Sequence, residues 1–185
     1  MWNNSKHEPY TTTSLKGKLT PMTHFEKIIA AVFVCTLPFT AKAKEAVADI
    51  RLSPAGSFKA TTQDVKGNAT LTGNKITAEN IVVNLKSLKT GIAVRDSHTQ
   101  KHLETTQFPE AILVKAEGTD GKGTGVLRIH GVEKPVSGTY KINGNELEAE
   151  FKINLPDYKI TNIKYMGVGV KDEVTVSVKV PLAKK

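Results

Sequence analysis

The chain has 185 residues, of which 39% are hydrophobic and 24% charged, and a formal net charge of +8. That length suits one domain with a self-sufficient core, and the composition excludes a polytopic membrane protein and a wholly disordered chain. A single cysteine excludes an intrachain disulfide framework.

Residues 1–43 read as an N-terminal extension followed by a cleaved signal peptide. Ile28–Phe39 is the one long apolar run, and its 12 residues are too few to cross a bilayer, which takes about 20. Lys27 precedes it and the small-x-small triplet Ala41-Lys42-Ala43 follows, the three-part pattern of a secretory leader cut after Ala43. Met1–Pro21 is polar and patternless, so Met22 is a candidate start. Cys35 lies inside the run and not at the cleavage point. The expected mature chain, 44–185, has no cysteine and no stable membrane span. It carries 21 basic and 16 acidic residues, a net charge of +5, dispersed without the basic and aromatic clusters that nucleic acid binding takes. The expected location is periplasmic or secreted.

The body of the chain alternates with period two, as strands with one apolar face do. Ala46–Leu52 and Gly56–Ala60 are short strand candidates. Val65, Gly67, Ala69 and Leu71 share a face, and so do Ile81, Val83 and Leu85. Arg95–Thr105 breaks the alternation and reads as a short helix or ordered loop, stopped by Phe108-Pro109. Ala111–Glu117, the segment holding Leu127 and Ile129, and Val136–Ile142 follow. Leu147, Ala149, Phe151, Ile153 and Leu155 alternate with polar residues until Pro156 ends the strand. Asn162–Gly169 is irregular, and Val174, Val176, Val178 and Val180 close the chain. Gly73-Asn74, Asp120-Gly121 and Asn143-Gly144-Asn145 are hairpin punctuation. The fold class is therefore all-β, an antiparallel barrel or sandwich, and an α/β fold is excluded because no long helices alternate with the strands.

Candidate chemistry is sparse. His98 and His102 stand four apart, a spacing that shares a helix face and suits metal ligation, but no further ligand cluster or HExxH accompanies them. His130 is the only other histidine of the mature chain. No mature cysteine and no nucleophile-elbow motif is present. Gly121–Gly125 reads as a β-turn and not a phosphate cradle. Arg95-Asp96 reads as structural, with Asp96 accepting from backbone N–H groups of the turn that follows. No catalytic residue, metal or cofactor is assigned. The apolar faces carry small side chains, Val, Ala, Ile and Leu, which in a closed barrel would leave space for a small elongated ligand.

Three ordered stretches resemble the YceI-like family. They are Ser87-Leu-Lys-Thr-Gly-Ile-Ala-Val-Arg-Asp-Ser-His98 with Lys101-His-Leu103 and Gln107-Phe-Pro109, then Gly125-Val-Leu-Arg-Ile-His-Gly-Val-Glu-Lys-Pro-Val136, then Asp157-Tyr-Lys-Ile160 with Tyr165-Met-Gly-Val-Gly-Val-Lys-Asp172. The resemblance covers most of residues 44–185. It implies an extended, lipocalin-like antiparallel β-barrel of about eight strands with one short helix. It also implies a binding protein, not an enzyme, holding a long polyisoprenoid or quinone-like lipid in its lumen. Val83, Leu85, Leu103, Leu113, Leu127, Ile129, Phe151, Ile153, Val176 and Val178 are the expected wall. Phe108, Tyr165 and Met166 are expected at the mouth, the methionine adapting to ligand shape. Two other classes stay open: a filled, ligand-free structural or stress-related barrel that acts through protein interaction, and an enzyme using His98, His102 or His130. The oligomeric state is not set by the sequence, a homodimer being one option.

Overall fold

The structure, a computed structural model, describes residues 44–185 apart from Met166. The expected N-terminal extension and signal peptide fall outside the described residues. Eleven strands follow one another: β1 (Glu45–Ser53), β2 (Ser57–Thr62), β3 (Val65–Lys66), β4 (Ala69–Thr72), β5 (Lys75–Asn84), β6 (Glu110–Thr119), β7 (Lys122–Ile129), β8 (Val132–Asn143), β9 (Glu146–Asn154), β10 (Lys164–Tyr165) and β11 (Val168–Lys184). One α-helix, α1 (Ala93–His102), lies between β5 and β6, and 3₁₀ turns occupy Leu85–Ser87 and Leu155–Tyr158.

The strands form a closed barrel. The ring runs β11-β4-β5-β6-β7-β8-β9 and returns to β11, seven strands against the expected eight or so, with β1 and β2 continuing the sheet beyond β11. β11 makes closure possible because it is 17 residues long. One edge pairs with β9 from Glu173 to Pro181, while the other pairs with β1 and then, from Leu182 onward, with β4. The β4–β11 pairing is parallel, and the other strand pairs are antiparallel.

Local chemistry sets the turns. Asp120 and Gly121 both take positive φ, as a tight two-residue hairpin turn requires. His130 and Gly131 do the same between β7 and β8, so His130 is a turn residue. The expected continuous strand Val65–Leu71 is broken at Gly67, which has φ +103° and comes so close to Ile81 that a Cβ there would lie 2.7 Å from its Cδ1. Asn143-Gly144-Asn145 turns β8 into β9 as expected, pairing Ile142 with Leu147.

Two apolar clusters divide the interior. One, with Ala46, Val65, Ala69, Ile76, Leu147, Val180 and Leu182, gathers at the end bearing the β4–β5, β6–β7 and β8–β9 turns. The other, with Ile50, Leu85, Leu88, Leu127, Ile129, Ile153, Tyr158 and Ile160, gathers at the end where α1 lies.

Candidate functional site

Between these clusters the barrel encloses a cavity of about 740 Å³. The interior is therefore open, not filled. The alternating strands build its wall: Leu147, Ala149, Phe151, Ile153 and Leu155 from β9 and its exit, and Val174, Val176, Val178 and Val180 from β11. Their polar neighbours in sequence point outward, as period-two alternation dictates. Lining residues on β11 run from Val168 to Val180, about 40 Å of strand or about 30 Å along the axis at the usual strand tilt. The lumen thus has the length and the apolar wall to take an elongated hydrocarbon chain.

One end of the tube is built from irregular segments. The pairs Ile50–Phe58 and Leu52–Val170 bring the ends of β1 and β2 and the start of β11 to this end. The helix lies there, contributing Val94, Arg95, His98, Thr99 and His102 to the lining, with Ile92 just before it and Leu103 just after. Ile92, Val94 and Val168 are 49%, 57% and 39% exposed and form the rim. Arg95 lays its guanidinium 4.4 Å from the Phe58 ring centroid, a cation–π contact that ties α1 to β2.

Asp96 fixes the helix from below. Its Oδ1 accepts from the Thr90 backbone N–H and from the Thr90 hydroxyl, both at 2.7 Å, and Lys89 stands 3.8 Å from its Oδ2. The Thr90 hydrogen bonds hold the Asp96 carboxyl below its ordinary value of 3.8, against the cost of burial, with Lys89 helping. Asp96 is structural, as expected, but it accepts from the loop before the helix and not from the turn after it. Gln100 adds a second tether, donating to the Lys86 carbonyl at 2.9 Å.

All ten residues expected on the wall, Val83, Leu85, Leu103, Leu113, Leu127, Ile129, Phe151, Ile153, Val176 and Val178, line the cavity. Phe108 is not among the lining residues. Its ring packs 4.2 Å from that of His130 and against Gly131, because Pro109 turns the chain straight into β6 beside the β7–β8 turn. Tyr165 belongs to β10, and Met166 lies outside the described residues. Alternation gave no sign of Ala46, Ala48, Ile50 and Phe58 as wall residues, since β1 and β2 contribute few large side chains, nor of Ile92 and Val94 at the rim. His98 and His102 both face the cavity, whereas His130 pairs through Nε2 with Glu104 at 3.1 Å, away from it. Among the described residues no three His, Cys, Asp or Glu side chains gather as a metal site.

The fold is thus a closed barrel with an apolar lumen and a helical mouth. The YceI-like domain profile matches residues 39–182, and the chain belongs to the YceI-like family. Protein YceI of Salmonella arizonae and Protein YceI of Salmonella newport are each 34% identical over 124 residues, covering 57% of this chain and 63% of the relative. The chain thus spans a little under two thirds of the length of these curated relatives. A polyisoprenoid binding domain from Saccharophagus degradans superposes with a TM-score of 0.51 at 16% identity, over 76% of this chain and 93% of that one. Burkholderia cenocepacia BcnA superposes with a TM-score of 0.57 at 14% identity, over 74% and 94%. At these identities the likeness is one of fold. Among the described residues no helix is long and apolar enough to cross a membrane.

Proposed function

We propose that the chain binds one isoprenoid-type lipid, polyisoprenoid or quinone-like, with its tail in the barrel lumen, and that it acts without catalysis in the periplasm or as a secreted protein. The observation that carries this reading is the elongated apolar tube of about 740 Å³, whose size falls within the range of small-molecule sites. The Saccharophagus degradans domain named for polyisoprenoid binding supports the ligand class. The leader-like pattern of residues 1–43 supports the location.

Burying a tail in the lumen stabilises the complex by about 0.8 kcal/mol per carbon taken from water, or about 4 kcal/mol per isoprene unit. Affinity therefore comes from the tail, and walls of Val, Leu and Ile suffice to supply it. A filled structural barrel is disfavoured by the open lumen.

Native mass spectrometry of the purified protein, followed by organic extraction and identification of the lipid, tests the reading. A co-purifying prenyl lipid in one-to-one ratio is expected. Protein that stays bare after incubation with polyprenyl quinones and polyprenols would overturn it.

A further inference from the structure

Few large aliphatic side chains of this barrel stand in water, and those that do are gathered at one end. Among the described residues four are exposed, Ile92, Val94, Ile142 and Val168, and three of them form the rim of the mouth. Those three also line the cavity, so the apolar wall of the lumen continues onto the outer surface. Ile142 stands apart, at the β8–β9 turn on the other end of the barrel. Backbone pairing brings a further apolar tip to the mouth. Ser53 pairs with Gly169 and Val168 with Tyr165, which sets the β1–β2 connection beside the β10–β11 hairpin. Pro54 and Ala55 of that connection are exposed, and so is Ala93, between Ile92 and Val94. Single exposed aliphatics are ordinary, but a group of them around an opening marks contact with a protein or a membrane.

Charge favours the membrane. The segment joining β5 to β6, residues 85–109, holds four basic residues, Lys86, Lys89, Arg95 and Lys101, against two acids. Of those acids, Asp96 is buried against Thr90 and Glu104 is engaged by His130. On α1 Val94, Ser97 and Lys101 are exposed and share a face, at i, i+3 and i+7. That outer face is therefore aliphatic at its start and cationic two turns on, with no carboxylate between. Lys164 is exposed on the β10–β11 hairpin, with Asp172 beside it along a small polar pocket. Aliphatic side chains at a rim flanked by ammonium groups suit a bilayer surface: the former enter the boundary of head groups and acyl chains, and the latter meet anionic lipid. A second copy of the chain seated on the same rim about a two-fold axis would instead bring these cations against their own counterparts.

We infer that the rim is a membrane-docking surface. Ile92, Val94 and Val168 enter the surface of a bilayer that carries anionic lipid, Lys101 and Lys164 hold them there, and the mouth of the lumen faces the bilayer. The inference rests on the lipid-binding reading above for its purpose and adds the partner that supplies or receives the cargo. A prenyl tail then passes between bilayer and lumen without entering water, where each exposed carbon would forfeit what the lumen gains. The exposure of the three rim aliphatics, which packing of the barrel itself does not require, is thereby accounted for.

Hydrogen exchange of the full chain, alone and with vesicles of phosphatidylcholine or of phosphatidylcholine with about one third phosphatidylglycerol, tests this. Exchange is expected to slow at 53–56, 91–97 and 167–170 with the anionic vesicles, and to stay unchanged in β7 and β8. This local readout separates the rim from the apolar run Ile28–Phe39, whose own affinity for bilayers would not protect those segments. Val94→Asp with Val168→Asp is expected to abolish the protection. Lys101→Glu with Lys164→Glu should remove the preference for anionic vesicles, about fivefold in partition for each charge lost. Ile142→Asp, at the other end, should leave the protection as it is. Absence of protection with either vesicle would overturn the inference while leaving the lipid reading standing, because uptake of prenols is measured separately and needs no bilayer. Undiminished protection in a well-folded Val94→Asp, Val168→Asp protein would overturn the assignment to these residues. Slowed exchange of the same segments on concentrating the protein without vesicles would show a second copy covering the rim, and would overturn it too. Rim protection by vesicles in a protein that takes up no prenyl compound would sink the lipid reading and leave the docking surface standing.

Discussion

Leu127→Trp probes the lumen from a buried wall position. Leu127 is buried in the lining, paired with Leu113, which is paired in turn with Ile81. Toward the end away from α1 lie Ala78, Leu147, Ala149, Val178 and Val180. The exchange adds about 60 Å³, two water volumes. On a wall residue that bulk projects into the lumen, across the path of a hydrocarbon chain. Each isoprene unit kept out forfeits about 4 kcal/mol, so excluding two costs on the order of 8 kcal/mol, or five to six powers of ten in affinity for a long tail. Overpacking a filled core costs about 1–3 kcal/mol, and an open lumen asks less. The assay is equilibrium binding of a twenty-carbon and a ten-carbon prenol, with melting curves to verify the fold. The twenty-carbon ligand should fall to the affinity of the ten-carbon one. Arg128→Trp, next in sequence but on the outer face beside Glu133, serves as control and should bind both normally. A folded Leu127→Trp protein that still prefers the twenty-carbon chain as the wild type does would refute the reasoning.

Other outcomes follow from named contacts. Asp96 is held below its ordinary carboxyl value, so its stabilising effect is present above the unfolded value and lost as pH falls through the folded one; hydrogen exchange in α1 should rise below about pH 4, and Asp96→Asn should remove that step. Tyr158 is buried and its phenol is pushed above 10.0, chiefly by burial and then by Asp157, so stability should decline as pH rises beyond about 10, and Tyr158→Phe should flatten the decline in a urea titration series. Gly138→Ala would place a Cβ 2.2 Å from the Glu150 carbonyl oxygen and 2.8 Å from the Phe151 Cβ, so β8 must separate from β9; a loss of about 1–3 kcal/mol or more is expected from urea unfolding.

The strands and the wall were legible because alternation is a local signal with a global meaning. Leu147–Leu155 and Val174–Val180 alternate over whole strands, and each apolar member lines the cavity. The ring count was harder. Gly67 breaks one apparent strand into β3 and β4, and β4 then pairs in parallel with the distant end of β11, a contact no short window contains. The mouth was largely hidden. Phe108 looked like a mouth aromatic by type alone, but its place beside Pro109 commits it to His130 and Gly131. The helix stripe could be found only after the barrel was known, because Arg95, His98, Thr99 and His102 look like an ordinary solvated face until the structure turns them inward. Ile92 and Val94 lie at the start of a polar helix, and their role at the rim comes from where β1, β2 and β11 end, not from their own pattern.

The central claim is that one apolar chain occupies the inside of the barrel. Methyl-resolved NMR of the protein titrated with a prenol carrying a nitroxide at its tail end tests it most directly. The account predicts broadening of inward methyl groups such as Leu127, Leu147, Val176 and Val178, saturating at one equivalent, with outward Val82 and its cross-strand neighbour Ile112 unaffected. Broadening that favours Val82 and Ile112, or that grows without saturating, would contradict it.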